Sequence, residues 1–527
     1  MKRLMVLMVL VFGCVLGAAL CSVAQTPADT LIVGLTHSSL TDLEPAAVYN
    51  FEAGLIAEQV YETLIKFRGG SEVFVPGLAT SWERSSDGLT WTFKIREGAL
   101  FHSGNPVTAD AVVFSFERSI AHDKAPGVWI ITQFIPSADM VRKVDDFTVA
   151  ITTNQPIGEA LLASVLSVHG PASIVDPAVV REHATTDDPW ADRWLATNDA
   201  GSGPYTLREW NLKQRILLEA FPQHWNGEPA VRYVIIQDLP EPTAQKLALQ
   251  RGDIDVAMGL LPEMITDLRS DSGIQILSAP AFEFSYVAMN LRFEPFKSVK
   301  VRQAIRYAID YQAIVQGVLG GAAVENQVIV PYGMPERLDL GYPHDPVMAR
   351  RLLAEAGYAN GFKVQLLVRT NPPFPDIAVQ VQEDLRQVGI DCEVVTMVNS
   401  VLLGLFRVQD YDLTIMRWGL DYGAAQNQTK AFADCLTSGP ESTIKSITWR
   451  CMWCPSGVSD WVAEAMAEPD EHRSIILYKA IQAITLEEGP YAMLYNPLTQ
   501  IGVRSNVEGL FVPPMWPYID FSLVRKG

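Results

Sequence analysis

The chain is short of positive charge and of the motifs that carry catalysis. Its 41 lysines and arginines face 60 aspartates and glutamates, a formal net charge of −19. That balance leaves no electrostatic footprint for nucleic acid. The eight histidines are scattered. There is no H-E-x-x-H, no G-x-S-x-G and no G-x-x-x-x-G-K. Zinc-protease helices, nucleophile elbows and nucleotide-phosphate loops are thereby excluded. One short pattern, Ser442-Thr443-Ile444-Lys445, matches S-x-x-K, the nucleophile motif of serine β-lactamases. Neither S-D-N nor K-T-G follows it, and it sits in a polar stretch that reads as a solvated loop. We expect no enzyme and no cofactor. Repeats, low-complexity tracts and long Pro/Gly/Ser linkers are also missing.

What remains is a large packed protein. At 527 residues the chain exceeds one simple core, and its apolar share of 48% argues against extended disorder. The N-terminus reads as a targeting segment over residues 1–24. Lys2 and Arg3 precede an apolar stretch, Leu4 to Leu20, and Ser22-Val23-Ala24 offers a small-residue cleavage site. An uncleaved anchor is the alternative by length. A lipid anchor at Cys21 is a third option, weakened by Leu20, where a small residue is preferred. Cleavage after Ala24 is the expectation, with export to the periplasm or the outer face of the cytoplasmic membrane. No later run is long and apolar enough for a second span.

Export would place Cys392, Cys435, Cys451 and Cys454 in an oxidising compartment. Cys451-Met452-Trp453-Cys454 is a C-x-x-C, but a zinc site would need two further ligands and only Cys435 is close in sequence. A structural bridge from Cys435 to Cys451 or Cys454 is the simpler reading, contributing about 3 kcal/mol by loop entropy. Cys392 alternates with Ile390 and Val394 and reads as a buried free thiol.

Strand and helix patterns alternate along the chain, which gives an α/β class. The clearest run is Asp345 to Trp418. Asp345 can cap a helix with Pro346 at its first position. Phe362, Val364, Leu366 and Val368 alternate as a strand, and Ile377, Val381, Leu385 and Val388 line one face of a helix that stops at Gly389. Strands at Ile390–Val394 and Leu413–Ile415 follow. This rhythm builds a mainly parallel sheet, whose ligands bind beyond the carboxyl ends of its strands.

The segment Ala57 to Arg118 adds a hairpin pattern, Trp82–Arg84 and Thr90–Ile95, turning at Asp87-Gly88, then a helix with Thr108 at its N-cap. Gly201-Ser202-Gly203-Pro204-Tyr205, Phe221-Pro222-Gln223-His224-Trp225, Leu249 to Asp255, Tyr286 to Asn290 (YVAMN) and Val299 to Asp310 follow in order. Together these landmarks resemble the extracytoplasmic solute-binding proteins of peptide and nickel ABC importers, over about Leu31 to Phe521. The resemblance implies a periplasmic-binding-protein-like fold: two α/β lobes joined by a hinge, plus an additional subdomain. It implies lobe I over 25–287 with the extra subdomain at about 70–200, lobe II over 288–496, and a return to lobe I over 497–527. It also favours Cys454 as the partner of Cys435.

A peptide carrier must hold a zwitterion. The ammonium needs a carboxylate and the carboxylate needs an arginine, lysine or helix N-terminus. Arg417-Trp418-Gly419-Leu420-Asp421-Tyr422 follows a strand and resembles the W-x-x-D-Y segment of oligopeptide-binding relatives. The resemblance implies Asp421 as ammonium partner and Trp418 as a pocket wall, with Tyr422 beside them. Gly423-Ala424-Ala425 then departs from the acidic residue and proline that peptide binders often carry there. This departure leaves room for an oligosaccharide, a nickel chelate or another small solute. Arg369 is the candidate carboxylate partner. Tyr49 and Asn50, in an early loop, and Trp129, from the extra subdomain, are further candidates.

The expected function is capture of di- or oligopeptides outside the cytoplasmic membrane and delivery to an ABC permease by hinge closure. A non-transport peptide sensor or chaperone is the alternative class. The chain carries no ATP site, so partner ATPase subunits must supply the energy. A monomer with no nucleic-acid partner is expected.

Overall fold

A computed structural model describes residues 26–67, 74–122, 125–436, 439–442, 445–515 and 518–527. The targeting segment 1–24, with Cys21, lies outside them, as do Thr443 and Ile444 of the S-x-x-K stretch. Among the described residues no helix is long and apolar enough to cross a membrane.

One twelve-stranded sheet runs through the protein. Its centre is the long strand Tyr491–Arg504. Tyr491 to Tyr495 pair with the strand Glu283–Met289 on one side of the molecule. Leu498 to Arg504 pair with the strand Ile274–Pro280 on the other. The chain therefore passes between two lobes twice, at Ala281-Phe282 and at Asn496-Pro497. Asn496 ties the two crossings together: its Nδ2 donates to the carbonyls of Ala281 and Glu283, and its Oδ1 accepts from Tyr332 N at 3.0 Å. Tyr286 to Met289 of the YVAMN segment pair with Leu413 to Met416, inside the second lobe. The expected boundary at 287 and 288 thus falls within a strand, and the chain turns between lobes about six residues earlier.

The first lobe continues through Val256–Ala257, Thr30–Leu35, Tyr233–Asp238, Arg215–Ala220 and Tyr205–Asn211. The glycine landmark at 201 has a steric cause: a Cβ there would stand 1.9 Å from the carbonyl oxygen of Val60. The second lobe is mixed rather than mainly parallel as expected: Glu283–Met289 pairs antiparallel with Leu413–Gly419 and with Tyr491–Arg504, and only the outer strands run parallel. Lys363–Arg369 pairs parallel with Asp391–Met397 and with Leu413 and Thr414. The cap signals act as expected: Asp345 Oδ1 accepts from Val347 N and Met348 N at 3.0 and 2.9 Å, with Pro346 opening the helix Pro346–Glu355. Ile377, Val381, Leu385 and Val388 are buried, and Gly389 stops their helix at φ 91°.

The helix Val299–Ala308 buries one face, Val301, Ala304, Ile305 and Ala308. It also buries Arg302 and Arg306. Both guanidiniums donate to carbonyls, Arg302 to Phe296 O at 2.6 Å and Arg306 to Tyr491 O at 2.9 Å. These bonds satisfy charges that burial would otherwise penalise.

A separate antiparallel sheet, Ala79–Arg84, Thr90–Ile95, Thr148–Thr152 and Val141–Asp145, forms the additional layer. Thr90–Ile95 buries Trp91, Phe93 and Ile95 by strict alternation. Thr108 stands at the N-cap of Ala109–Ala121 in extended conformation, but its hydroxyl makes no capping bond.

Cys435 and Cys454 form a disulfide with Cα atoms 5.2 Å apart. Cys392 and Cys451 are free and buried, and burial pushes both thiols up to about 12. Tyr411 donates to Cys451 Sγ at 3.3 Å.

Candidate binding cleft

A cavity of about 420 Å³ opens where the two crossings meet the strand Leu413–Gly419, and it takes walls from both lobes. Tyr49, Asn50 and Tyr518 come from the first lobe. Glu283, Arg417 and Asp421 come from the second. Its volume suits a small ligand.

Asp421 follows the end of its strand. Tyr49 Oη donates to Asp421 Oδ1 at 2.6 Å, and Asn427 Nδ2 donates to Oδ2 at 3.3 Å. Both donors are neutral. Burial holds the Asp421 carboxyl above the usual carboxylate range, and the two hydrogen bonds only partly offset it. Tyr49 is 47% exposed and its phenol is raised, by burial first and then by the charge of Asp421. Trp129 hydrogen-bonds the same phenol and stands 6.4 Å, ring to ring, from Tyr422. Tyr422 is buried and its hydroxyl donates to Gln426. Four of the expected residues, Tyr49, Trp129, Asp421 and Tyr422, are therefore brought together.

The other three stand differently. Asn50 lines the cavity, but its side chain is occupied: Oδ1 caps the helix Phe51–Val60 through Ala53 N at 2.9 Å, and Nδ2 donates to Ser39 O at 3.2 Å. Trp418 does not line the cavity. It packs edge-on against Phe432 with ring centroids 5.5 Å apart, on the sheet face opposite Arg417. Arg369 ends its strand stacked over Phe374 at 4.3 Å and is 9% exposed. It feels the charges of Arg417 and Glu283 without lining the cavity itself.

Two residues absent from the expected set complete the site. Arg417 pairs with Glu283. Burial raises the Glu283 carboxyl, and Arg417 pulls it back. Arg417 carried a sequence signal, since it lies in the same segment as Asp421. Glu283 carried none, because it reaches Arg417 only through the pairing of Glu283 with Gly419 across two strands.

Arranged this way, the cleft offers a carboxylate with neutral partners at one side and the Arg417–Glu283 pair at the other, with Arg369 behind it. It can hold a small zwitterion. No group of histidines, cysteines or carboxylates among the described residues is arranged to hold a metal ion. Ser442 and Lys445 are engaged with loop backbone: Ser442 Oγ accepts from Gly439 N at 2.7 Å and Lys445 Nζ donates to Gly439 O at 2.6 Å.

Comparison with known proteins gives one consistent result. The sequence model of the bacterial extracellular solute-binding proteins, family 5 (middle region), matches residues 73–440. A probable D,D-dipeptide-binding periplasmic protein, DdpA, of Escherichia coli K12 is 27% identical over 93% of this chain and 93% of its own length. Di/tripeptide-binding protein 2 of Pseudomonas aeruginosa UCBPP-PA14 is 28% identical over 95% of this chain and 96% of its own. Among solved structures, HbpA2 of Haemophilus parasuis superposes with a TM-score of 0.84 at 24% identity, covering 94% of this chain and 100% of that one. This likeness establishes the fold.

Proposed function

Because this chain belongs to the bacterial extracellular solute-binding proteins, family 5, we propose that it captures short peptides outside the cytoplasmic membrane and delivers them to an ABC permease. The peptide-binding names of its relatives support this class of ligand. The single observation that carries it here is Asp421: a partly buried carboxylate in an inter-lobe cavity, hydrogen-bonded among the described residues only by neutral groups. A peptide's α-ammonium supplies the missing charge, and its carboxylate meets Arg417, with Arg369 behind.

Closure would follow from bridging. A ligand held by Tyr49 and Asp421 touches both lobes, so it binds the closed form better than the open one and shifts the population. The chain binds and releases without turnover, and partner ATPase subunits drive import. Residues 1–24 direct export and are removed after Ala24. The exported chain acts as a monomer.

A thermal-shift panel tests the reading: the chain from Gln25 against free di- to pentapeptides, oligosaccharides and nickel chelates. Ligands that bind the folded form raise the melting temperature by mass action. Shifts with peptides are expected. Shifts with sugars or chelates and none with peptides would discard the peptide reading and keep the family.

A further inference from the structure

The two lobes also meet away from the cleft. The antiparallel sheet that includes Ala79–Arg84 is tied to the first lobe: Leu78 N donates to Thr63 O at 3.0 Å, and His102 N donates to Gly201 O at 2.9 Å. The helix Val458–Ala467 belongs to the second lobe, where it packs against the helix Glu471–Glu488. Arg302 holds the end of that neighbour through Glu488 O at 2.9 Å. The last four carbonyls of a helix lack partners within it. In Val458–Ala467 two of them are met inside the second lobe, Glu464 O by Glu468 N at 2.9 Å and Ala465 O by Ser474 Oγ at 2.9 Å. The other two are met from the sheet layer: Gly158 N donates to Met466 O at 2.8 Å, and Arg84 Nη2 donates to Ala467 O at 3.1 Å. A guanidinium there also suits the negative end of the helix dipole.

None of these four residues lines the cleft that holds Asp421. Their bonds run from protein to protein, so they favour the closed arrangement whatever the cleft contains. Gly158 fits the contact closely. Its backbone, at φ −75° and ψ 163°, is open to any residue, so conformation does not require glycine there. A Cβ would stand 3.2 Å from Glu468 O and 3.6 Å from Met466 O. Beyond its chain neighbours, no other atom of the described residues comes within 4 Å of it. The space is therefore denied by the facing lobe alone.

We propose that Arg84 and Gly158 form a ligand-independent latch, which clamps the extra sheet of the first lobe onto the second and populates the closed form before a ligand arrives. Apparent affinity scales with the population of the form a ligand binds, so the latch sets a common gain for every ligand. The proposal does not depend on which solute is carried. The test uses the chain from Gln25 without ligand, by small-angle X-ray scattering and by amide hydrogen exchange at Gly158. Gly158→Leu meets no obstacle in an open form and wedges a closed one, so it should raise the radius of gyration above that of the parent. Arg84→Met keeps the apolar stem and removes the donor. It should raise the radius less, and speed exchange of the Gly158 amide about tenfold, as loss of one charge-assisted hydrogen bond implies. An unchanged circular dichroism spectrum certifies the fold of each variant, and Arg84→Met carries the test by itself if Gly158→Leu does not fold. A radius and a Gly158 exchange rate that the substitutions leave unchanged overturn the latch. A radius raised by Gly158→Leu, with exchange unaltered in Arg84→Met, overturns the part assigned to Arg84.

Discussion

The two charged ends of the cleft differ in one respect that decides what the cleft can do. Glu283 and Asp421 are both carboxylates pushed upward by burial. Glu283 has Arg417 beside it, so its charge is balanced within the protein. Among the described residues Asp421 has only the hydroxyl of Tyr49 and the amide of Asn427. Hydrogen bonds from neutral groups stabilise a buried anion less than a cation does. One end is thus self-contained, and at the other the proposed ligand would supply the missing charge. An ammonium arriving at Asp421 does for it what Arg417 already does for Glu283.

The largest way to break that comparison is Asp421→Ala. A peptide with a free amino terminus then loses its buried charge partner, and binding should weaken by about 2–5 kcal/mol. N-acetylated peptides, which bring no ammonium, should bind the variant and the parent alike. Titration calorimetry on both peptide forms reads the result. Equal losses for the two forms would remove Asp421 as the ammonium site.

A smaller effect is expected at the balanced end. Arg417→Met takes the cation from Glu283 and the facing charge from the ligand carboxylate. Arg417 is 53% exposed at its side chain, so water screens it. We expect about a tenfold loss for peptide acids, or about 1.4 kcal/mol. Peptide amides should lose little. If the variant keeps the acid-over-amide preference, the carboxylate partner is Arg369, whose guanidinium is buried over Phe374, and the comparison is sharpened to a different arginine.

Most of the architecture was legible because it is written locally. The cap at Asp345-Pro346, the helical face from Ile377 to Val388 and the alternation of Thr90–Ile95 each need only neighbours in sequence. The site was legible in part. Asp421 and Tyr422 follow a strand end, where the topology of parallel sheets puts ligands. Trp418 comes from the same segment, yet strand alternation turns it to the opposite face, toward Phe432. Glu283 and Arg417 are 134 residues apart, and nothing in either neighbourhood announces their pairing. The buried Arg302 and Arg306 were hidden for a related reason. Their carbonyl partners lie on other segments, Tyr491 among them, and helical periodicity alone assigns charged residues to water.

The smallest test needs no ligand and asks whether Asp421 waits at a cost. Its carboxyl titrates higher in the folded chain than in the unfolded one, because burial disfavours the charge. Between those two values the folded chain holds more protons than the unfolded chain. Stability therefore falls as pH rises through that window. Asp421→Asn keeps the shape and removes the charge. The ligand-free variant should melt about 1–3 °C above the parent at neutral pH. At pH values below the unfolded carboxyl's titration, where the parent is protonated in both states, the two should converge. Glu283 is raised too, with Arg417 pulling it back, so Glu283→Gln removes a penalty of the same sign and should raise the neutral-pH melting point less than Asp421→Asn does. A larger rise at Asp421 than at Glu283 is what the comparison requires. Equal shifts at the two would mean that Asp421 is balanced within the protein as well as Glu283 is.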